Sequence, residues 1–284
     1  MNTNKITFVI AAVLSVIWAA GTVSYGSGES KLRMSLVLDK TSYFIDEPVW
    51  LDMYVTNEGD SQTRVHPPTT YGDWLKIVVI DEHGDTLTDW GPKGFFTGPM
   101  SLKVEPGDTL FGMTNLLEDF GESAKSINHL RALPPGKYTV KAIHSHPLVS
   151  NEVSFTVVEP TSEEGVAHDL YISGLIHRSV NVDRSISELK KLLTQYPSSV
   201  FAPSACSTTW LIYSFYNPDE LLAMGYAART VMDYPNSGHA IRLQGFLVKK
   251  FGHERAVAIL DSLISASGST RLRMGTKNTR KREQ

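Results

Sequence analysis

Two histidines one residue apart, His144-Ser145-His146, are the first side chains in this 284-residue chain whose spacing suggests chemistry. Residues i and i+2 of a strand point the same way, so two imidazoles there could chelate zinc or copper. A third ligand would have to arrive from another loop, with His66, His83 or His129 available. The plainer reading is two exposed histidines at a strand end before Pro147. Asp81, Glu82 and Asp85 lack the alternating carboxylates of a calcium loop and read as a solvated hairpin turn. Cys206, the single cysteine, would be a nucleophile only with a histidine against it. Beside Ala205 and near Trp210 it reads as a small buried side chain, and alone it excludes an intramolecular disulfide, a zinc finger or an iron-sulfur site.

Neither G-x-x-x-x-G-K-[ST] nor G-x-G-x-x-G is present, so no phosphate cradle is coded. H-E-x-x-H and G-x-S-x-G are absent as well. With no catalytic set in view, the expectation is a protein without enzymatic activity or cofactor. The richest binding signal is aromatic: Trp210, Tyr213, Phe215 and Tyr216 crowd one helix and exceed a single face, so some rings either line a groove or fill a core. Trp210, Tyr213, Tyr216 and Arg242 are the candidate contact residues for a protein or peptide partner. Trp74, Trp90 and Phe95-Phe96 beside Gly91, Gly94 and Gly98 form a second aromatic loop, either a binding loop or a core plug.

The net charge of -3 offers no electrostatic footprint for nucleic acid. It is unevenly spread: residues 271–284 hold six Lys and Arg against one Glu, a net of +5, which leaves residues 31–270 at -8. A basic tail of this kind is either solvated or in contact with an anionic surface such as lipid headgroups. At the other end, Met1 to Lys5 is positively tipped and Ile6 to Ala20 runs without charge before small residues. This is the order of a secretory signal peptide spanning residues 1–26, which places the rest on the extracytoplasmic side, periplasmic or secreted. The competing reading is an uncleaved anchor over Ile6 to Val23, near the lower length for crossing a bilayer.

From residue 31 to 159 the apolar period is two. Val49, Leu51, Met53 and Val55 alternate with Trp50, Asp52, Tyr54 and Thr56, a strand burying one face. Leu75–Ile80 runs into a Gly-containing turn, and Pro106-Gly107-Asp108 and Pro134-Pro135-Gly136 introduce further strands. Seven or eight short strands favour an antiparallel sandwich. Leu133-Pro134-Pro135-Gly136-Lys137-Tyr138 resembles the corner of immunoglobulin-like modules in which a tyrosine hydroxyl bonds back to nearby backbone. Tyr43–Leu51 followed by Val55-Thr56-Asn57 is similar to the early strands of bacterial extracytoplasmic Ig-like domains, including a proteinase-inhibitor family. That resemblance implies a fold, with protease inhibition through the sandwich loops as an alternative function.

Residues 160–165 read as a polar linker, after which the period becomes 3.6. The pattern predicts helices over 166–180, 184–195, 200–216, 218–233, 239–251 and 254–266. Ser185 and Glu188 have capping-box spacing, and Asn217-Pro218 should start the fourth helix. The second, fourth and sixth helices start 35 residues apart, and Tyr-Pro-x-Ser-x-x-Ala recurs at Tyr196 and Tyr234, 38 residues apart. These junctions resemble those of envelope tetratricopeptide proteins, whose repeats are about 34 residues long. The expected fold class is therefore multidomain all-β plus all-α: an antiparallel Ig-like β-sandwich (31–159), then a short tetratricopeptide-like α-helical array (166–268) and a basic tail (269–284). The expected function is an exported cell-envelope adaptor binding a protein or peptide on its repeats, with a metal-dependent hydrolase at His144 and His146 as the weakest alternative. Membrane contact would run through the N-terminal segment or the basic tail.

Overall fold

The computed structural model describes residues 31–69, 74–87, 101–120, 122–123, 131–145, 147–251, 261, 264–265, 267–269 and 272–274. The signal or anchor segment, His129, His146, Trp90, Phe95 and Phe96, most of the sixth expected helix and the residues beyond Met274 lie outside them. No helix among the described residues is long and apolar enough to cross a membrane.

The strands are β1 (Leu32–Leu38), β2 (Ser42–Phe44), β3 (Trp50–Asn57), β4 (Thr63–Val65), β5 (Leu75–Asp81), β6 (Leu102–Val104), β7 (Thr109–Asn115), β8 (Glu122–Ser123), β9 (Arg131–Ala132), β10 (Gly136–His144), β11 (Leu148–Val149) and β12 (Val153–Val158). A short helix α1 (Leu116–Phe120) follows β7. One antiparallel sheet orders β1-β3-β7; a second orders β11-β10-β12-β2, with β5 on the other side of β10 and β2 joined in parallel to β12. Met53, Val55 and Leu110 from the first sheet share one core with Val79, Val140 and Phe155 from the second. The corner tyrosine closes as its sequence context suggests, Tyr138 donating its hydroxyl to the Pro134 carbonyl at 2.7 Å. Asp81 accepts from the amides of His83 and Asp85, both at 2.9 Å, and Gly84 takes the positive φ of 89° that the turn after β5 needs.

The helices are α2 (Ser162–His177), α3 (Val182–Gln195), α4 (Ala202–Leu211), a π-helical turn (Ile212–Tyr216), α5 (Glu220–Asp233) and α6 (Gly238–Phe251). Helix α2 starts inside the stretch expected as linker, with Glu163 and Glu164 in its first turn, where negative charge suits the helix dipole. Helix α3 is capped by Asn181, which accepts from the Arg184 amide. Ser185, expected in a capping box, instead donates to the Gly174 carbonyl at 2.6 Å and ties α3 to α2. Helix α5 is capped by Asp219 rather than started at Pro218, because the π turn carries the chain on to Asp219, whose amide bonds to the Tyr213 carbonyl. Replacing Ser185 by Ala should lower stability by about 1 kcal/mol; urea unfolding midpoints of the two proteins measure it.

The expected fold class does not hold. The described chain is a mixed α/β structure with no clear tetratricopeptide array. In a solenoid each repeat touches only its neighbours. Here the helices also close onto the strands: Phe44 stacks on Phe201 at 6.5 Å, His168 lies 2.9 Å from Asp46, and Trp50 meets His239 at 5.0 Å. The π turn interrupts the helix that would have begun the second unit. The 3.6-residue period marks which residues are helical, but of the three starts expected 35 residues apart the two described, Val182 and Glu220, lie 38 apart, and the third falls outside the described residues. The Tyr-Pro-x-Ser repeat does build one turn twice. Ser199 and Ser237 each bond their amide to the preceding tyrosine carbonyl, and their hydroxyls accept from the Phe201 and Ala240 amides at 3.1 and 3.2 Å.

Candidate functional site

Where these two turns face the strand module, a cleft of about 350 Å³ opens. Its strand side comes from the β1–β2 turn (Asp39, Lys40) and the β2–β3 turn (Glu47, Pro48) with Trp50. Its helix side comes from Val200, Pro203 and Ser204 at the start of α4, and from Asp233–Ser237 and His239 around the start of α6. Prolines and aromatic rings form its walls, with a few polar groups between them, as small-ligand and peptide sites require.

The strand side is stiffened by charge. Glu47 is buried, pairs with Lys40 and accepts from the Phe44 amide at 3.0 Å. Burial pushes its carboxyl pKa up, and the Lys40 pair opposes that shift. Tyr43 donates to Asp39 at 2.6 Å, and the Lys40 ammonium sits 5.1 Å from the Tyr43 ring centre. Asp46 holds the β2–β3 turn with a φ of 63°, which Asp tolerates better than most residues, and reaches across to His168.

The junction itself is built around Trp50, only 4% exposed. The Arg242 guanidinium lies 4.6 Å from its ring centre and the His239 ring meets it edge-on. A Cβ on Gly238 would come within 2.0 Å of the Trp50 ring, so the start of α6 can rest there only because residue 238 is glycine. Arg242 is fixed in turn by both carboxylate oxygens of Glu118 beyond β7. Beneath, the Ser204 hydroxyl lies 3.0 Å from His239 Nε2, and the buried Tyr171 packs in the same core. Burial first, and the Arg242 charge second, hold the His239 pKa down at about 3; burial lifts that of Tyr171 to about 12. Ser204 and the half-buried His239 thus join α4 to α6 by one polar contact at the cleft wall.

None of the sequence-derived contact residues lines this cleft. Tyr213 is 5% exposed and stacks on Tyr226 at 5.8 Å, a core position. Trp210 packs edge-on to Phe246, and Arg242 is the junction clamp just described. Tyr216 and Phe215 do face outward, at 42% and 69% exposure, on the π turn. His144 is buried, and its Nε2–H donates to the His66 carbonyl at 3.1 Å. His66 stacks on Trp74, so this set reads as packing, and no group of three or more potential metal ligands occurs among the described residues. Cys206 is fully buried, and burial pushes its thiol pKa up, away from nucleophilic reactivity. Sequence reasoning missed Trp50, Glu47, Ser204 and His239. The available signal was a tryptophan on the supposedly solvated face of β3.

No protein-family model and no curated protein matches this sequence. Among solved structures it is similar to a β-glucosidase from Erythrobacter marinus (15% identity, 47% of this chain and 16% of that one, TM-score 0.29). It is also similar to a β-glucosidase from Listeria innocua (13% identity, 47% and 17% coverage, TM-score 0.29). A third is a CARDB domain from Pyrococcus furiosus solved with di-metal ions (11% identity, 48% and 100% coverage, TM-score 0.27). The chain thus spans about a sixth of the length of the glucosidases it matches. At these values the likeness assigns neither fold nor activity.

Proposed function

We propose that the chain is a non-catalytic, exported binding protein that holds a peptide or protein segment of the cell envelope in the cleft between its strand module and its helices. The observation that carries this reading is the cleft itself: an open, proline- and aromatic-walled hollow whose two sides are locked together by Trp50, His239, Arg242 and Glu118. A rigid site of this kind binds without losing much freedom of its own. Ser204 and His239 resemble a nucleophile and its base, but their state suits binding better. A base works best with a pKa near the working pH, and His239 at about 3 is a weak proton acceptor, while Ser204 is only 1% exposed. Export rests on the charged tip and apolar run of residues 1–20.

Asn236 lies exposed on the cleft rim, so Asn236→Trp should block entry without touching the core. Envelope proteins captured by the wild-type chain should be lost, at least tenfold, with this variant. An unchanged captured set would remove the cleft from the binding account.

A further inference from the structure

We propose that the cleft takes a cationic segment, and that its occupant in the isolated protein is the chain's own basic stretch from Lys277 to Arg282. This rests on the cleft being the binding site and adds what fills it. Three carboxylates, Asp39, Glu47 and Asp233, line the cleft against a single ammonium, Lys40. Lys40 is already committed to Glu47, and Asp233 to Arg229 at 3.1 Å. His239 adds no positive charge to oppose a cationic visitor. The walls suit the aliphatic stems of Lys and Arg, which lie along apolar and aromatic surface while their heads seek carboxylates.

The chain also arrives at the right place. Ser269 is buried and donates its hydroxyl to the carbonyl of Pro235, itself a wall of the cleft, at 2.9 Å. Leu272 is fully buried just beyond, and its amide is held by Ser269 at 3.3 Å. From Ser269 to Lys277 is eight residues, which span up to ~26 Å when extended. The segment therefore starts beside the cleft with ample reach. The charge distribution matches: residues 271–284 carry +5 and residues 31–270 carry -8. Tethering beside the site gives such a segment a high effective concentration, so even a weak interaction keeps the cleft filled until a stronger ligand displaces it.

Zero-length carbodiimide coupling of the full chain tests this, because it joins only amines and carboxylates already in contact. The exposed pair Lys250–Glu220, 2.7 Å apart, is the internal standard. Lys277 or Lys281 should couple to Asp39 or Asp233 within one molecule, in a yield that dilution does not change. If the standard couples while those lysines join other carboxylates, or only a second molecule, the cis arrangement is overturned. In a second arm, a fluorescent peptide of residues 275–284 is titrated into the wild-type chain and into the full chain carrying Lys277→Ser, Arg280→Ser, Lys281→Ser and Arg282→Ser. The variant should bind at least tenfold more tightly, and adding Asn236→Trp should abolish that gain. Equal binding to both chains, or none to either, overturns the occupant. Whether envelope capture still depends on Asn236 then shows separately whether the cleft reading survives.

Discussion

Trp50→Ala should destabilise the full chain by about 3–5 kcal/mol, the usual loss when a buried large aromatic is truncated, and should abolish ligand capture with it. The ring is nearly inaccessible, and three partners depend on it: the Arg242 guanidinium above, the His239 edge beside it and the glycine-only start of α6 against its face. Truncation leaves a cavity that Gly238 cannot fill, because glycine has no side chain to move in. It also frees Arg242 to hold Glu118 without a wall to pack on. Gly238→Ala probes the same contact from the opposite side. Its Cβ would overlap the ring, and overpacking of this kind costs about 1–3 kcal/mol. Both are read from denaturant unfolding of the full chain. A loss for Trp50→Ala below about 1 kcal/mol would mean that the ring does not bind the two halves together.

Acid should destabilise the protein through His239. Its folded pKa, about 3, lies below the ordinary histidine value of 6.5, so the unfolded chain takes up a proton first as the pH falls. The stabilisation is fully present above about pH 6.5 and is lost between there and about pH 3, with a slope of up to ~1.4 kcal/mol per pH unit. Glu47 acts in the opposite sense, since burial raises its pKa and favours its protonated form in the fold. Comparison with His239→Gln separates the two. Glutamine keeps a polar partner for Ser204 but cannot titrate, so its urea midpoint should fall less steeply between pH 6.5 and 4. Parallel slopes would show that His239 is not held neutral by the junction.

The strands and helices themselves are largely written in the sequence, because period two and period 3.6 are local properties. The alternation along Trp50 to Thr56 marks a strand, yet it assigns Trp50 and Asp52 to a solvated face that proves to be buried. Trp50 is covered by α6, some 190 residues later in the chain, and no local pattern encodes such a partner. The serine cap at Ser237 was legible for the converse reason, since a cap needs only its own next turn, whereas Ser199 bonds the Phe201 amide ahead of α4, which begins at Ala202 with no side-chain cap. Array stacking was not legible. It depends on how successive helix pairs are angled, which the π turn at Ile212–Tyr216 and the docking of α6 on Trp50 both alter. The aromatic run divided for the same reason. Tyr213 turned inward, Phe215 and Tyr216 outward, and Arg242 was drawn to Glu118 on a part of the chain that helical spacing says nothing about.

A photo-crosslinking amino acid placed in the full chain, at residue 236 on the cleft rim or at residue 215 on the exposed aromatic turn, tests the location of binding most directly. Irradiated in the native envelope, the probe at 236 should give discrete adducts with another polypeptide and the probe at 215 should give none. Adducts from 215 alone would place the ligand on the outer helical surface and contradict the cleft as the seat of function.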